Sequence, residues 1–286
     1  MQFQYFNIKR TRSLQSTLFI LSFLTSLSFL IIISLQACSQ KQRGPNEIYI
    51  GTLAGPESDL VQTAQAIALQ KYNLTLKIIE FEDYNIPNTA LAEGSIDANM
   101  FQHQQYLNYV VTHKKHAIQS IGKTFIFPMG GYSKKYRTIG QLPDKAIIAI
   151  PNDPSNNERA LKLLAENNLI TLGLPDNQEP ITLKNITQNT KQFIFKELDA
   201  AQLPRALEDV DLAIINTNYA IPSGLKPKRD ALILESAHSP YANVVAVRTK
   251  EIAAEKYQQL MSALNSPEVL EKANALFEGQ VIPAWR

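Results

Sequence analysis

Ala146-Ile147-Ile148-Ala149-Ile150-Pro151-Asn152-Asp153-Pro154-Ser155-Asn156-Asn157-Glu158-Arg159 is the stretch on which the fold reading turns. The apolar run 146–150 reads as a strand and the Pro, Asn and Asp after it as a turn. Ser155 with Glu158 fits a capping box that opens a helix over residues 156–167. The alternation repeats outward from there. Towards the N-terminus, strands are expected over residues 47–53, 74–81 and 96–101, with helices over 59–71 and 88–93. Towards the C-terminus, a strand over 194–197, a helix over 202–208 and a strand over 212–216 follow. Strands separated by helices indicate βαβ units, so the expected class is α/β with mainly parallel sheets flanked by helices.

Two segments share a pattern. Ala90-Leu91-Ala92-Glu93-Gly94-Ser95-Ile96-Asp97 leads into Ala98-Asn99-Met100-Phe101-Gln102, and Ala206-Leu207-Glu208-Asp209-Val210-Asp211 leads into Leu212-Ala213-Ile214-Ile215-Asn216. Each passes from a helix end through an acid and an apolar strand to an amide side chain. Read as a repeat, the pattern implies two α/β lobes facing each other. Ligands of open α/β sheets sit beyond the carboxyl ends of the strands, so residues 101–106 and 216–219 would line one cleft.

In this register Arg159 falls in the first turn of its helix, where the macrodipole disfavours a cation by ~0.3–1 kcal/mol. A guanidinium held there beside free backbone N–H groups suits an incoming carboxylate, which arginine grips through two parallel hydrogen bonds. The competing reading is a plain salt bridge to an acid such as Asp153. Phe101, His103 and Tyr106 stand together just after a strand, either as a wall for an apolar ligand tail or as ordinary core. His103 finds no companions as a metal ligand. His113, His116 and His238 lack ligand spacing and no cysteine stands near, so neither metal nor cofactor is expected. Asn216, Asn218 and Asn243 offer carbonyl oxygens to an ammonium group, or serve as turn formers. The chain has no Gly-x-Ser-x-Gly, His-Glu-x-x-His or Gly-x-Gly-x-x-Gly, and Gly122-Lys123-Thr124 lacks the first glycine of a phosphate loop, with Ala117 in its place. No enzymatic activity is expected.

The single cysteine closes Leu35-Gln36-Ala37-Cys38, at the end of an uncharged apolar run from Leu18 that Lys9, Arg10 and Arg12 precede. This is the layout of a lipoprotein signal peptide over residues 1–37, cleaved before a cysteine that carries the lipid. A transmembrane helix of the same length gives no reason for a small residue followed by cysteine at its end. Residues 38–46 then form a polar lipidated stalk. Residues 1–37 hold three of the 28 basic residues and none of the 26 acidic ones, so the remaining 249 residues carry a formal net charge of −1. Nothing in that balance suggests a nucleic-acid partner, which would need a clustered basic face. With no second cysteine there is no disulfide framework, and stability rests on burial.

Several segments, taken in order, resemble the methionine-binding lipoprotein (NlpA/MetQ) family. They are Asp97-Ala98-Asn99-Met100-Phe101-Gln102-His103, Phe127-Pro128-Met129-Gly130-Gly131-Tyr132-Ser133-Lys134-Lys135, Ile150-Pro151-Asn152-Asp153-Pro154-Ser155-Asn156, Ala201-Gln202-Leu203-Pro204-Arg205, Asn216-Thr217-Asn218-Tyr219-Ala220 and Ser239-Pro240-Tyr241-Ala242-Asn243. The resemblance runs from residue 47 to Pro283-Ala284-Trp285. It implies a two-lobed solute-binding protein of the periplasmic-binding-protein type, anchored to a membrane through Cys38 and facing the periplasm or the exterior. Such a protein closes on methionine or a close relative and delivers it to the permease and ATPase of an ABC importer. The resemblance further implies that Arg159 pairs with the α-carboxylate and that Asn218 and Asn243 accept from the α-ammonium. Phe101, His103, Tyr106 and Tyr84 would surround the side chain, with Asn156 also at the site. Residues 47–133 and 242–286 would form one lobe and 134–241 the other, with hinges at 132–135 and 239–242. The same fold holding another apolar amino acid or a short peptide, or acting as a surface adhesion lipoprotein, is the alternative.

Overall fold

The computed structural model describes residues 43–175, 179–236 and 238–285. The signal peptide, Cys38 and the start of the stalk lie outside the described residues. In the first half of the chain β1 (Glu47–Leu53), α1 (Pro56–Tyr72), β2 (Thr75–Phe81), α2 (Pro87–Ala92), β3 (Ala98–His103), α3 (Gln104–Lys114) and β4 (Ile118–Ile126) follow one another. β1 pairs in parallel with both β2 and β3, the pairing that helical crossovers produce. α1 shows why. It buries Leu60, Val61, Ala64, Ile67 and Ala68, one stripe at helical spacing, against the sheet. It is entered through Gly55 at φ +102°, a conformation glycine adopts without strain, and Pro56 takes its first turn.

The chain then changes sheets. β5 (Gly130–Tyr132), β6 (Ile147–Pro151), α4 (Pro154–Glu166), the small antiparallel pair β7 (Thr171–Leu172) and β8 (Ile186–Gln188), β9 (Ile194–Leu198), α5 (Leu203–Ala206), β10 (Leu212–Ile215), α6 (Thr217–Ala220), α7 (Pro227–Asp230) and β11 (Ala231–Leu234) follow. It returns through β12 (Ala242–Arg248), α8 (Glu255–Leu264), α9 (Pro267–Leu276) and β13 (Ile282–Pro283). Among the described residues the two large sheets have the orders β13-β4-β12-β3-β1-β2 and β11-β5-β10-β6-β9. The expected alternation holds, but the sheets are mixed rather than mainly parallel. β4 leads out of the first sheet and β12 leads back in, so they pair antiparallel, as do β5 and β11 in the second. The parallel pairing survives where helices make the connection. The sheet change also falls at residues 127–129, ahead of the boundary expected after residue 133, because β5 already belongs to the second sheet.

Burial divides accordingly. Ile48, Ile50, Met100 and Phe125 pack under α1, α8 and α9, where Leu60, Tyr257 and Leu260 meet them. Ile148, Ile150, Leu212 and Ile214 pack with Leu161 and Leu164 of α4. A third cluster draws on both sheets, joining Leu53, Phe101 and Tyr106 to Tyr132, Ala149, Ala213 and Ile215. The strand ends beside that third cluster point into one cavity.

Candidate functional site

The cavity lies between the two sheets, with about 320 Å³ of non-atom space, open solvent included. Tyr84, Phe101, His103, Tyr106, Asn156, Arg159, Asn218 and Asn243, separated by up to 159 positions in sequence, all line it. Gln102, Phe127, Asn216 and Thr217 complete the lining.

One wall is aromatic. The Tyr84 ring lies 5.8 Å from Phe101 and 6.0 Å from Tyr106, and it meets Tyr219 of the other lobe at 5.0 Å. Tyr106 donates its hydroxyl to the Tyr84 carbonyl at 3.0 Å, which satisfies the phenol and leaves the ring faces for packing. His103 ends β3 and caps α3, its Nδ1 accepting the Tyr106 N–H at 3.2 Å. Nδ1 therefore carries no proton, and Nε2 donates across the cavity to Asn156 Oδ1 at 3.2 Å. Burial first, and the Arg159 charge second, push the His103 pKa down to about 3, in keeping with that neutral ring.

The opposite wall is polar. The cap of α4 is Asp153, whose carboxylate accepts from the Asn156 N–H at 2.9 Å. This corrects the expected box of Ser155 and Glu158. Pro154, with no N–H and a preset φ, takes the first helical position, and Glu158 instead bonds Lys162 at 2.6 Å. Arg159 thus lies in the second turn, where the macrodipole matters less. Its charge is met by Glu235. The Nε atom donates to Glu235 Oε1 at 2.9 Å, and Nη2 bonds both Glu235 Oε2 and the Phe127 carbonyl, the latter at 2.8 Å. The guanidinium also lies 4.5 Å from the centre of the Tyr241 ring. Arg159 makes the salt bridge that the sequence left open, with Glu235 rather than Asp153 as its acid, and it also lines the cavity.

Glu57 joins the walls. Only 2% exposed, it accepts from Asn243 Nδ2 at 3.1 Å and from Asn218 Nδ2 at 2.9 Å. Burial pushes its carboxyl up to about 8, against the opposing pull of those two amides. Neither Glu57 nor Glu235 stood out in sequence. An acid in a helix's first turn and an acid after a strand are both ordinary, and their partners lie 161 and 76 residues away. Among the described residues no group of three His, Cys, Asp or Glu side chains is placed to hold a metal.

The family model of the NlpA lipoprotein matches residues 48–285. The chain belongs to the NlpA lipoprotein family. The D-methionine-binding lipoprotein MetQ of Salmonella typhi is 40% identical over 255 residues, which cover 88% of this chain and 94% of that protein. A periplasmic substrate-binding protein of an ABC transporter from Coxiella burnetii, whose structure is solved, is 53% identical, with a TM-score of 0.80 over 83% of this chain and all of the other. A nutrient-binding protein from Burkholderia cenocepacia, solved with methionine bound, is 46% identical, with a TM-score of 0.81 over 83% of this chain and 99% of that one. The two lobes found here are thus the α/β lobes of a periplasmic binding protein.

Proposed function

We propose that this member of the family is a solute-binding lipoprotein, not an enzyme, that takes methionine into the cavity between its lobes and delivers it to an ABC importer. The observation that carries the reading is the lining of the cavity, which brings Arg159 and the amides Asn156, Asn218 and Asn243 together with Tyr84, Phe101, His103 and Tyr106. That combination suits a zwitterion with an apolar tail. A thioether is favoured by such a wall, since sulfur against aromatic rings contributes about 0.3–1.5 kcal/mol per contact.

In this reading Arg159 meets the α-carboxylate, Asn218 and Asn243 accept from the α-ammonium, and Asn156 steadies His103. The crossing segments 127–129 and 235–241 act as the hinge, and both touch Arg159 through Phe127, Glu235 and Tyr241. A ligand bridging the lobes then shifts the population towards the closed form. The lipid on Cys38 holds the protein at the membrane, on the periplasmic or exterior side, near the permease it feeds.

The test is calorimetric titration of protein beginning at Ser39, unfolded and refolded to remove carried ligand, with L-methionine, D-methionine and other apolar amino acids. Micromolar or tighter binding of methionine, about −8 kcal/mol or better, is expected. No heat from a folded sample with any methionine enantiomer would sink the assignment.

A further inference from the structure

The lobes meet a second time away from the ligand cavity, in a groove lined by Ile221 and Leu225 of the second lobe and Leu276 and Phe277 of the first. Lys226 and Glu278 line it as well. Among the described residues theirs is the ion pair that joins one lobe to the other, Lys226 Nζ donating to Glu278 Oε1 at 2.5 Å. The first lobe by itself disfavours an acid at position 278. The Gly279 N–H donates to the Asn274 carbonyl at 3.0 Å, which closes α9 in a left-handed capping turn. Glycine usually fills the left-handed place before that N–H. Here Glu278 holds it, at φ +50°, and the glycine comes only next, at +71°. A carboxylate just beyond a helix C-terminus also stands against the macrodipole. Both penalties are answered across the groove. α7 and the residue that caps it bring Lys226, Lys228 and Arg229 together on the second lobe. Lys226 foremost, with Arg229 and Lys228 behind it, holds the Glu278 carboxyl below its ordinary range.

We propose that Lys226 and Glu278 form an electrostatic latch on the closed form, an ion pair made when the lobes come together and broken when they part. It stands outside the ligand cavity, so it favours closure without touching the ligand. The proposal goes beyond the methionine reading, and only its affinity measurement rests on that reading. Both side chains are about half exposed, so the latch is weak and is screened by salt.

The experiment uses protein beginning at Ser39, which has no cysteine of its own, with one engineered cysteine on each lobe carrying a spin label. Interlobe distances without ligand, and L-methionine affinity by calorimetry, are measured at low and high salt. The proteins are the wild type, Glu278→Gln, Lys226→Gln and the double variant. Each single variant is expected to shift the ligand-free distances towards the wider separation and to weaken methionine binding about 1.5- to 5-fold at low salt. The double variant should lose less than the sum of the two, and high salt should erase the differences. Losses that add in the double variant or persist in high salt overturn the latch, as do single variants that match the wild type in both measurements. If the wild type binds no methionine, the functional reading fails and the distances alone decide. The latch then stands if the single variants widen them and falls if they do not.

Discussion

Both lobes open a central strand in the same way, yet only one of them invests a buried arginine there. In the first, the Asp97 N–H donates to the Tyr49 carbonyl at 2.7 Å while its carboxylate accepts the Tyr49 N–H at 2.8 Å. In the second, Asp211 does the same with Ile147, at 2.9 and 2.8 Å. The shared acid seen in the sequence thus has one job in each lobe, tying the start of one parallel strand to its neighbour. The partners differ. Asp97 is held by Arg248, whose side chain is 12% exposed and which also bonds Glu251 and the Leu91 carbonyl. Asp211 is held by Lys135, which is 41% exposed. The buried arginine of the second lobe, Arg159, stands instead at the cavity. The lobes use one backbone device, and they differ in whether the buried cation serves the frame or the site.

Substitution of the two arginines separates those uses. Either Arg159→Ala or Arg248→Ala strands a buried carboxylate, and each is expected to cost about 2–5 kcal/mol in chemical denaturation. Only Arg159→Ala should also abolish methionine binding in calorimetry of the protein that remains folded. Unchanged affinity in Arg159→Ala, or lost affinity in Arg248→Ala, breaks the division between site and frame.

How legible this was depended on distance along the chain. The strand–turn–helix around Pro151 and the acids Asp97 and Asp211 were readable because their patterns are local. All eight proposed ligand residues line one cavity, but the family resemblance contributed as much to choosing them as the residues did. Asn216, weighed early as an ammonium acceptor, lines the cavity as well and bonds Asn156 Oδ1 at 2.8 Å. Glu57 and Glu235 were invisible, because what makes each unusual is burial against a partner far away in sequence. The sheet change at residues 127–129 was missed for a related reason: β5 is three residues long, too short to carry a periodic signal.

The cavity walls also titrate differently. The second lobe contributes the Arg159–Glu235 pair and Asp153, whose carboxyl burial pushes up, whereas the first contributes His103 and Glu57. The His103 pKa falls from 6.5 to about 3 on folding, so its contribution to stability is present above 6.5 and is lost as pH falls towards 3. Protonation requires a second ring N–H where the Tyr106 N–H now donates. Glu57 acts with the opposite sign. Its pKa rises from 4.5 to about 8, so its contribution is present below 4.5 and is lost as pH rises through 8. Denaturant midpoints measured across this range should pass through a maximum. His103→Asn, which keeps a capping acceptor, should flatten the acid limb alone, and Glu57→Gln the alkaline limb alone. An acid limb that survives His103→Asn would remove His103 as its cause.

Lys135→Ala is the smallest change and the sharpest check on the opening comparison. The Asp211 carboxylate titrates low in spite of some burial, because the Ile147 N–H and Lys135 both favour its charged form. Removal of the lysine leaves the Ile147 bond in place and the carboxylate open to water, so the loss should stay below about 1 kcal/mol and shrink with added salt. Arg248→Ala differs in leaving Asp97 buried, 4% exposed, without the guanidinium that bonds it. If Lys135→Ala cost as much as Arg248→Ala, burial of the cation would not be what separates the lobes. The reciprocal Asp–strand bonds would then carry the same weight in both, and their matching geometry would have to be read as matching energetics too.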